Sequence, residues 1–184
     1  MKKATIVATA LAGALISTVA GVAQAAPSTM DVTNPWTVKL GAFFPSNGND
    51  SNAAGSTQIT AGLDYAITKT TSTNPTIPSV YFDYEGGSRN GGHVDTFGLG
   101  VAARSQSVTA SGDDPYIGVG VGLYDVDSQK GRDYGSKNNV GFGGKIFAGV
   151  AFKGGFLVEA NYQLVPSENG VNPSGLGLQV GYRF

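Results

Sequence analysis

Residues 117 to 123 read Ile-Gly-Val-Gly-Val-Gly-Leu, four branched apolar side chains separated by three glycines. Successive side chains on a strand point to opposite faces, so Ile117, Val119, Val121 and Leu123 share one face while Gly118, Gly120 and Gly122 leave the other bare. A helix is disfavoured here, because each interior glycine costs about 1 kcal/mol relative to alanine. The stretch predicts a strand whose second face looks into a narrow space.

The period of two continues in both directions. Upstream, Trp36, Val38, Leu40, Ala42 and Phe44 alternate with small or polar residues, as do Ile59, Ala61, Leu63, Tyr65 and Ile67. A shorter third segment holds Val80, Phe82 and Tyr84, and a fourth Phe97, Leu99, Val101 and Ala103. Downstream come Phe142, Ile146, Ala148, Val150 and Phe152, then Phe156, Val158, Ala160, Tyr162 and Leu164, then Leu176, Leu178, Val180, Tyr182 and Phe184. With residues 117–123 these make eight strand segments. Long polar connections are expected at 45–56, 86–93, 125–138 and 165–174, after the odd-numbered strands. Lys153-Gly154-Gly155 reads as a tight hairpin, and 70–78 and 105–115 carry proline and glycine turn signals.

The faces opposite the apolar ones decide which side is buried. Besides glycine they carry four cations, Lys39, Arg104, Lys145 and Arg183, and four anions, Asp64, Asp83, Glu85 and Glu159. The lumen of an eight-stranded barrel is just wide enough for side chains to fill, and the apolar faces together would overfill it. Lys or Arg on a lipid-facing wall costs about 2–4 kcal/mol at the midplane, so the charges belong inside and the apolar side chains outside, against hydrocarbon. Backbone N–H and C=O groups in lipid must all be paired, which requires a closed ring of strands. The expected fold is an all-β, eight-stranded antiparallel up-and-down transmembrane β-barrel. Its aromatic residues near strand ends, among them Trp36, Phe44, Tyr65, Tyr84, Phe152, Phe156, Tyr162, Tyr182 and Phe184, suit the two interfacial girdles.

The N-terminus reads differently. Lys2 and Lys3 precede the apolar run 10–16 and the small-residue exit Ala23-Gln24-Ala25, the pattern of a secretory signal peptide cleaved after Ala25. The expected organisation is signal peptide 1–25, a short periplasmic segment 26–35 and one barrel domain 36–184. Removing the leader takes two lysines and leaves a net charge of −3, ten Lys and Arg against thirteen Asp and Glu, which gives a nucleic-acid partner no support. No cysteine is present, so neither disulfides nor thiolate metal sites are available.

Over about residues 36–184 the chain resembles the small outer-membrane barrel family, of the OmpA transmembrane-domain or OmpX kind. The most specific element is Gly181-Tyr182-Arg183-Phe184 on the last alternating strand, similar to the C-terminal signal read by the barrel-assembly machinery. Gln179 stands where that signal has glycine. The resemblance implies the outer membrane of a Gram-negative cell, with Tyr182 and Phe184 as the assembly signal. The expected surroundings are membrane lipid and lipopolysaccharide, for a chain that is a monomer. The family's shape serves enzymes, adhesins, narrow pores and structural anchors, so fold alone does not choose among them.

No constellation points to catalysis or a cofactor. His93 is the single histidine, in a glycine-rich stretch, and Asp125, Asp127, Ser128 and Asp133 lack the spacing of a calcium-binding EF-hand loop. Lys130, Arg132 and Lys137 are candidates for weak contact with lipopolysaccharide phosphates. The expected role is structural or surface-interacting. Lys39, Asp64, Asp83, Glu85, Arg104, Lys145, Glu159 and Arg183 are expected to form a charge network that plugs the lumen, structural or gating in role. A narrow pore past the glycines is the alternative, and a lipid A-modifying enzyme a distant third.

Overall fold

A computed structural model of the chain describes residues 35–67, 76–107, 112–129, 135, 137–167 and 171–184. The expected leader, all but the last residue of the 26–35 segment, and Lys130, Arg132 and Asp133 lie outside the described residues. Eight strands follow in chain order: β1 Trp36–Pro45, β2 Gln58–Ala66, β3 Thr76–Arg89, β4 Gly92–Gln106, β5 Asp114–Gln129, β6 Lys137–Ala151, β7 Phe156–Leu164 and β8 Gly175–Arg183. Each pairs antiparallel with the next, and β1 pairs with β8, so the sheet is a closed barrel. The seam is sealed by a reciprocal pair: Trp36 N–H donates to the Phe184 carbonyl at 3.1 Å and Phe184 N–H to the Trp36 carbonyl at 2.9 Å.

Register fixes the faces. Leu40 of β1 lies opposite Ala61 of β2 and Val180 of β8, so outward residues meet outward residues across the ladder. Leu40 is 59% exposed and its neighbour Lys39 is 2% exposed. Val119, Val121 and Leu123 are likewise on the outside, with Gly118, Gly120 and Gly122 turned inward. Paired rings stand at both rims: Trp36 and Tyr65 (centroids 4.7 Å apart) and Phe156 and Tyr182 (5.4 Å) at the end carrying the termini, Tyr84 and Phe97 (5.0 Å) toward the far mouth.

Strand lengths depart from expectation at the far mouth. The third strand is not short but has 14 residues, because the expected connection 86–93 is nearly all strand. Asn90 and Gly91 alone turn the chain, with φ of 54° and 79°, the paired positive angles of a two-residue type I′ hairpin. Strands β5 and β6 likewise run through much of the expected connection 125–138. These ends carry the polarity of loops because a ladder standing above lipid has no need of an apolar face. The tight turn at Lys153-Gly154-Gly155 is present, with Phe152 N–H donating to the Phe156 carbonyl at 2.7 Å.

The connection after β1 holds the single helix among the described residues, α1, Gly48–Ala54. Asn47 caps it, its side-chain oxygen accepting Asn49 N–H at 3.0 Å, and Gly55 ends it at φ 94° while donating to Ser51 O. Seven residues are too few to display a helical period, so the cap, Asp50 in the first turn and the final glycine were its only sequence marks.

The interior holds more than glycine and charge. Tyr81, Tyr116, Tyr124, Phe147 and Leu157 form one buried cluster inside the barrel. Glycines make the room: a Cβ at Gly98 would lie 2.6 Å from the Tyr124 ring, and one at Gly149 would lie 2.6 Å from the Tyr116 hydroxyl. At Gly118 a Cβ would strike the buried Phe147 ring and sit 2.8 Å from the Ala103 carbonyl, a backbone group of the neighbouring paired strand. Gly118→Ala is expected to cost about 1–3 kcal/mol by overpacking. Gly48→Ala, where a Cβ meets nothing within 4 Å, should stay within about 0.5 kcal/mol. Urea unfolding in lipid vesicles compares the two, and equal midpoints would refute the packing role of Gly118.

Candidate functional site

The charged lumen is where the sequence-derived residues gather. Strand β1 carries Lys39 inward, β2 Asp64, and β7 Glu159, three strands that meet around the seam. Lys39 Nζ lies 2.8 Å from Asp64 Oδ2 and 2.9 Å from Glu159 Oε1. The other Glu159 oxygen accepts the Tyr116 hydroxyl at 3.0 Å. One ammonium is thus held between two carboxylates, with a phenol completing the second, and Lys39, Glu159 and Tyr116 are buried. Such pairing offsets desolvation best when the remaining lone pairs also find donors; the phenol supplies one to Glu159, whereas Asp64 Oδ1 has none.

A second pair lies across the lumen. Lys145 of β6 donates to Asp83 of β3 at 2.6 Å, and its Nζ sits 3.8 Å from the centroid of the Tyr81 ring. Tyr81 in turn shares a 3.1 Å hydrogen bond with Tyr124. Toward the far mouth, Glu85 is bound by neutral donors, the Gln163 amide and, at 3.4 Å, Thr60 Oγ1. Gln179 donates to Thr60 at 2.9 Å and accepts from Asn161 at 3.1 Å, which extends the layer across the seam to β7.

All eight charged residues therefore point inward, but not as one network. Lys39, Asp64 and Glu159 form one group, and Asp83 and Lys145 another. Glu85 is held by an amide and a hydroxyl. Arg104 and Arg183 are set apart toward the terminal end, where Arg104 stands 5.7 Å from the Tyr116 centroid. Arg104 Nε and Arg183 Nε and Nη2 are buried without a hydrogen-bond partner. Equal numbers of each sign do not produce four ion pairs, because partner choice follows height along the barrel and the charges are staggered. The sequence reading missed Tyr116, Tyr124 and Phe147, whose inward facing follows from strict alternation with Ile117, Leu123 and Ile146.

Tyr182 and Phe184, the expected assembly signal, are exposed on the outer wall at the terminal end. His93 lies outside as well, on β4, directly opposite Ser88 of β3 in the ladder, with Nε2 3.6 Å from Asp127 Oδ1 on β5. Asp125 shares the outer wall with Asp127, whereas Ser128 is buried inward. Among the described residues no group of three or more His, Cys, Asp or Glu is arranged to hold a metal ion.

Residues 8–184 match the family model for the outer membrane protein β-barrel domain. The chain belongs to this outer-membrane β-barrel family. Among solved structures, the barrel is similar to Neisserial surface protein A, with a TM-score of 0.62 at 15% identity, over 80% of this chain and 93% of that one. Weaker likenesses are to Ail of Yersinia pestis in a phospholipid nanodisc (TM-score 0.47, 13% identity, 82% and 99% covered) and the N-terminal barrel of Pseudomonas aeruginosa OprF (0.47, 18%, 80% and 97%). No match was found among curated proteins. Membership places the barrel in the outer membrane, so its exposed Val, Leu and Phe side chains face acyl chains and no water-filled exterior has to be reconciled with them.

Within this wall the pair Asp83–Lys145 offers a direct test of the interior. Asp83→Ala leaves a buried ammonium without its carboxylate and is expected to cost about 3–5 kcal/mol. The double variant Asp83→Leu with Lys145→Met should recover most of that loss. Unfolding midpoints in vesicles measure both, and a single variant as stable as the parent would remove the pair from the account.

Proposed function

We propose that the barrel is a structural or surface-interacting component of the outer membrane whose lumen is plugged by its own side chains. The observation that carries this reading is the double clamp on Lys39 from β2 and β7, with Lys145 held to Asp83 beneath the Tyr81 ring. Both lysines are already coordinated by fixed protein charge, so a permeant ion gains little by entering and must displace a buried pair to pass. The reading includes export by the leader 1–25, insertion through the segment ending in Tyr182 and Phe184, and life as a monomer among membrane lipid and lipopolysaccharide. The far mouth is then the cell-surface side, and interaction falls to the tall hairpins β3–β4 and β5–β6. Mobility on a gel that differs between boiled and unboiled samples, with negligible steady conductance in planar bilayers, is the expected pair of results. A stable ion-selective channel would overturn the plug.

The cross-strand placement of Ser88, His93 and Asp127 favours one second reading. These are the residue types of an acyl-transfer trio, nucleophile, base and orienting carboxylate, on the outer wall of the tall strand ends at the far mouth. Lipid A from cells with and without the chain, compared by mass spectrometry, separates the readings. Unchanged acyl content is expected, and an acyl loss that disappears in Ser88→Ala would instead establish the enzyme.

A further inference from the structure

The far mouth is covered by chain from two separate connections. Inward residues Gln58 of β2, Gly87 of β3 and Val94 of β4 line it, and α1 lies across them. Ala53 and Ala54 of the helix are buried with Val94 and Val171, and a Cβ at Gly87 would come 2.5 Å from the Ala54 carbonyl. Segment 171–174 approaches from the β7–β8 side, where Ser46 N–H donates to the Ser174 carbonyl at 2.9 Å. A polar contact joins helix and segment: Asp50 Oδ1 accepts Asn172 N–H at 2.9 Å. Asp50 is fully buried, its Oδ2 has no partner, and it is the one charged residue of α1.

We propose that α1 is a proton-latched lid, docked across the far mouth when Asp50 is protonated and released when Asp50 ionises. An ionised carboxylate with one donor and one bare oxygen against alanine and valine is a poor occupant of this site, whereas the neutral acid loses little there. Burial pushes the Asp50 carboxyl up from 3.8 to about 6, with the Asn172 N–H pulling the other way. Because the docked value lies above the free value, the latch is complete below about pH 4 and is lost as pH rises through about 6.

Other titrating groups also stand at this end of the barrel. The strands packed on α1 bring Glu85 and Arg89 on β3 and His93 and Asp95 on β4 to this end, and β1 and segment 171–174 bring none. Glu85 is bound inside by Gln163 and Thr60, Asp95 accepts the Tyr84 hydroxyl at 2.7 Å, and His93 lies beside Asp127. Glu168, in the same connection as Asn172, lies outside the described residues.

The absence of cysteine permits a clean test. A spin label on Asn52→Cys, at an exposed position of α1, is followed from pH 4 to 8 in vesicles, with the boiled-versus-unboiled gel shift confirming the barrel in each variant. The label should be immobile at low pH and mobile at high pH, with the transition lying between about pH 4 and 6 and a docked-to-free ratio falling about a hundredfold. Asp50→Asn, which keeps the acceptor and removes the charge, should hold the label immobile throughout, and His93→Gln should leave the midpoint in place. A label whose mobility is flat with pH in the parent overturns the lid, as does a transition that survives Asp50→Asn or vanishes with His93→Gln. The readout is independent of conductance, so failure of the plug and failure of the lid are told apart.

Discussion

Hydrocarbon offers a backbone N–H no acceptor, and a strand can cross it only if both its edges are paired. Every other feature of this barrel follows from meeting that demand with a chain of eight spans. The β1–β8 ladder exists because an open sheet would leave two edges in lipid. The inversion of faces exists because a wall paired on both edges has only two surfaces left, one of them against acyl chains. Charge on the spanning part of the wall is then confined to a narrow lumen.

How the lumen accommodates those ions shows two different solutions side by side. Lys39 and Lys145 meet carboxylates at hydrogen-bonding distance, while one oxygen of Glu85 accepts from an amide and a hydroxyl. Rings occupy the remaining width, and glycine on the facing strand is what admits them. Glycine's usual conformational liberty is not the point at Gly98 or Gly118; the missing side chain is. A lumen built this way is close-packed by a few large groups, so its integrity depends on small residues as much as on large ones.

The alternation of Ile117 to Leu123 with glycine made the strand class, the outward face and the closed barrel readable from the sequence, and the same rule applied to eight segments placed every charged candidate on the inner wall. Three things were not readable. Asn90-Gly91 is hidden as a turn because its neighbours are polar, and α1 is too short to repeat. Partner choice was the third: Lys39 and Glu159 are 120 residues apart, and no spacing in the sequence reports that their heights along the barrel coincide. Faces are a local property of a strand, whereas heights are set by the register of every ladder between.

The seam between Trp36 and Phe184 bears on the order of events in assembly. The first strand to be synthesised waits for the last, so one of its edges stays open while the intervening six form hairpins, and Lys39 gains its second carboxylate only as β7 arrives. Closure of this kind is a high-contact-order step, slow compared with hairpin formation, and for its duration the chain exposes two sticky rims at once. A folding pathway in which spans enter lipid one by one is poorly suited to such a molecule; concerted insertion, with both rims shielded until they meet, suits it far better.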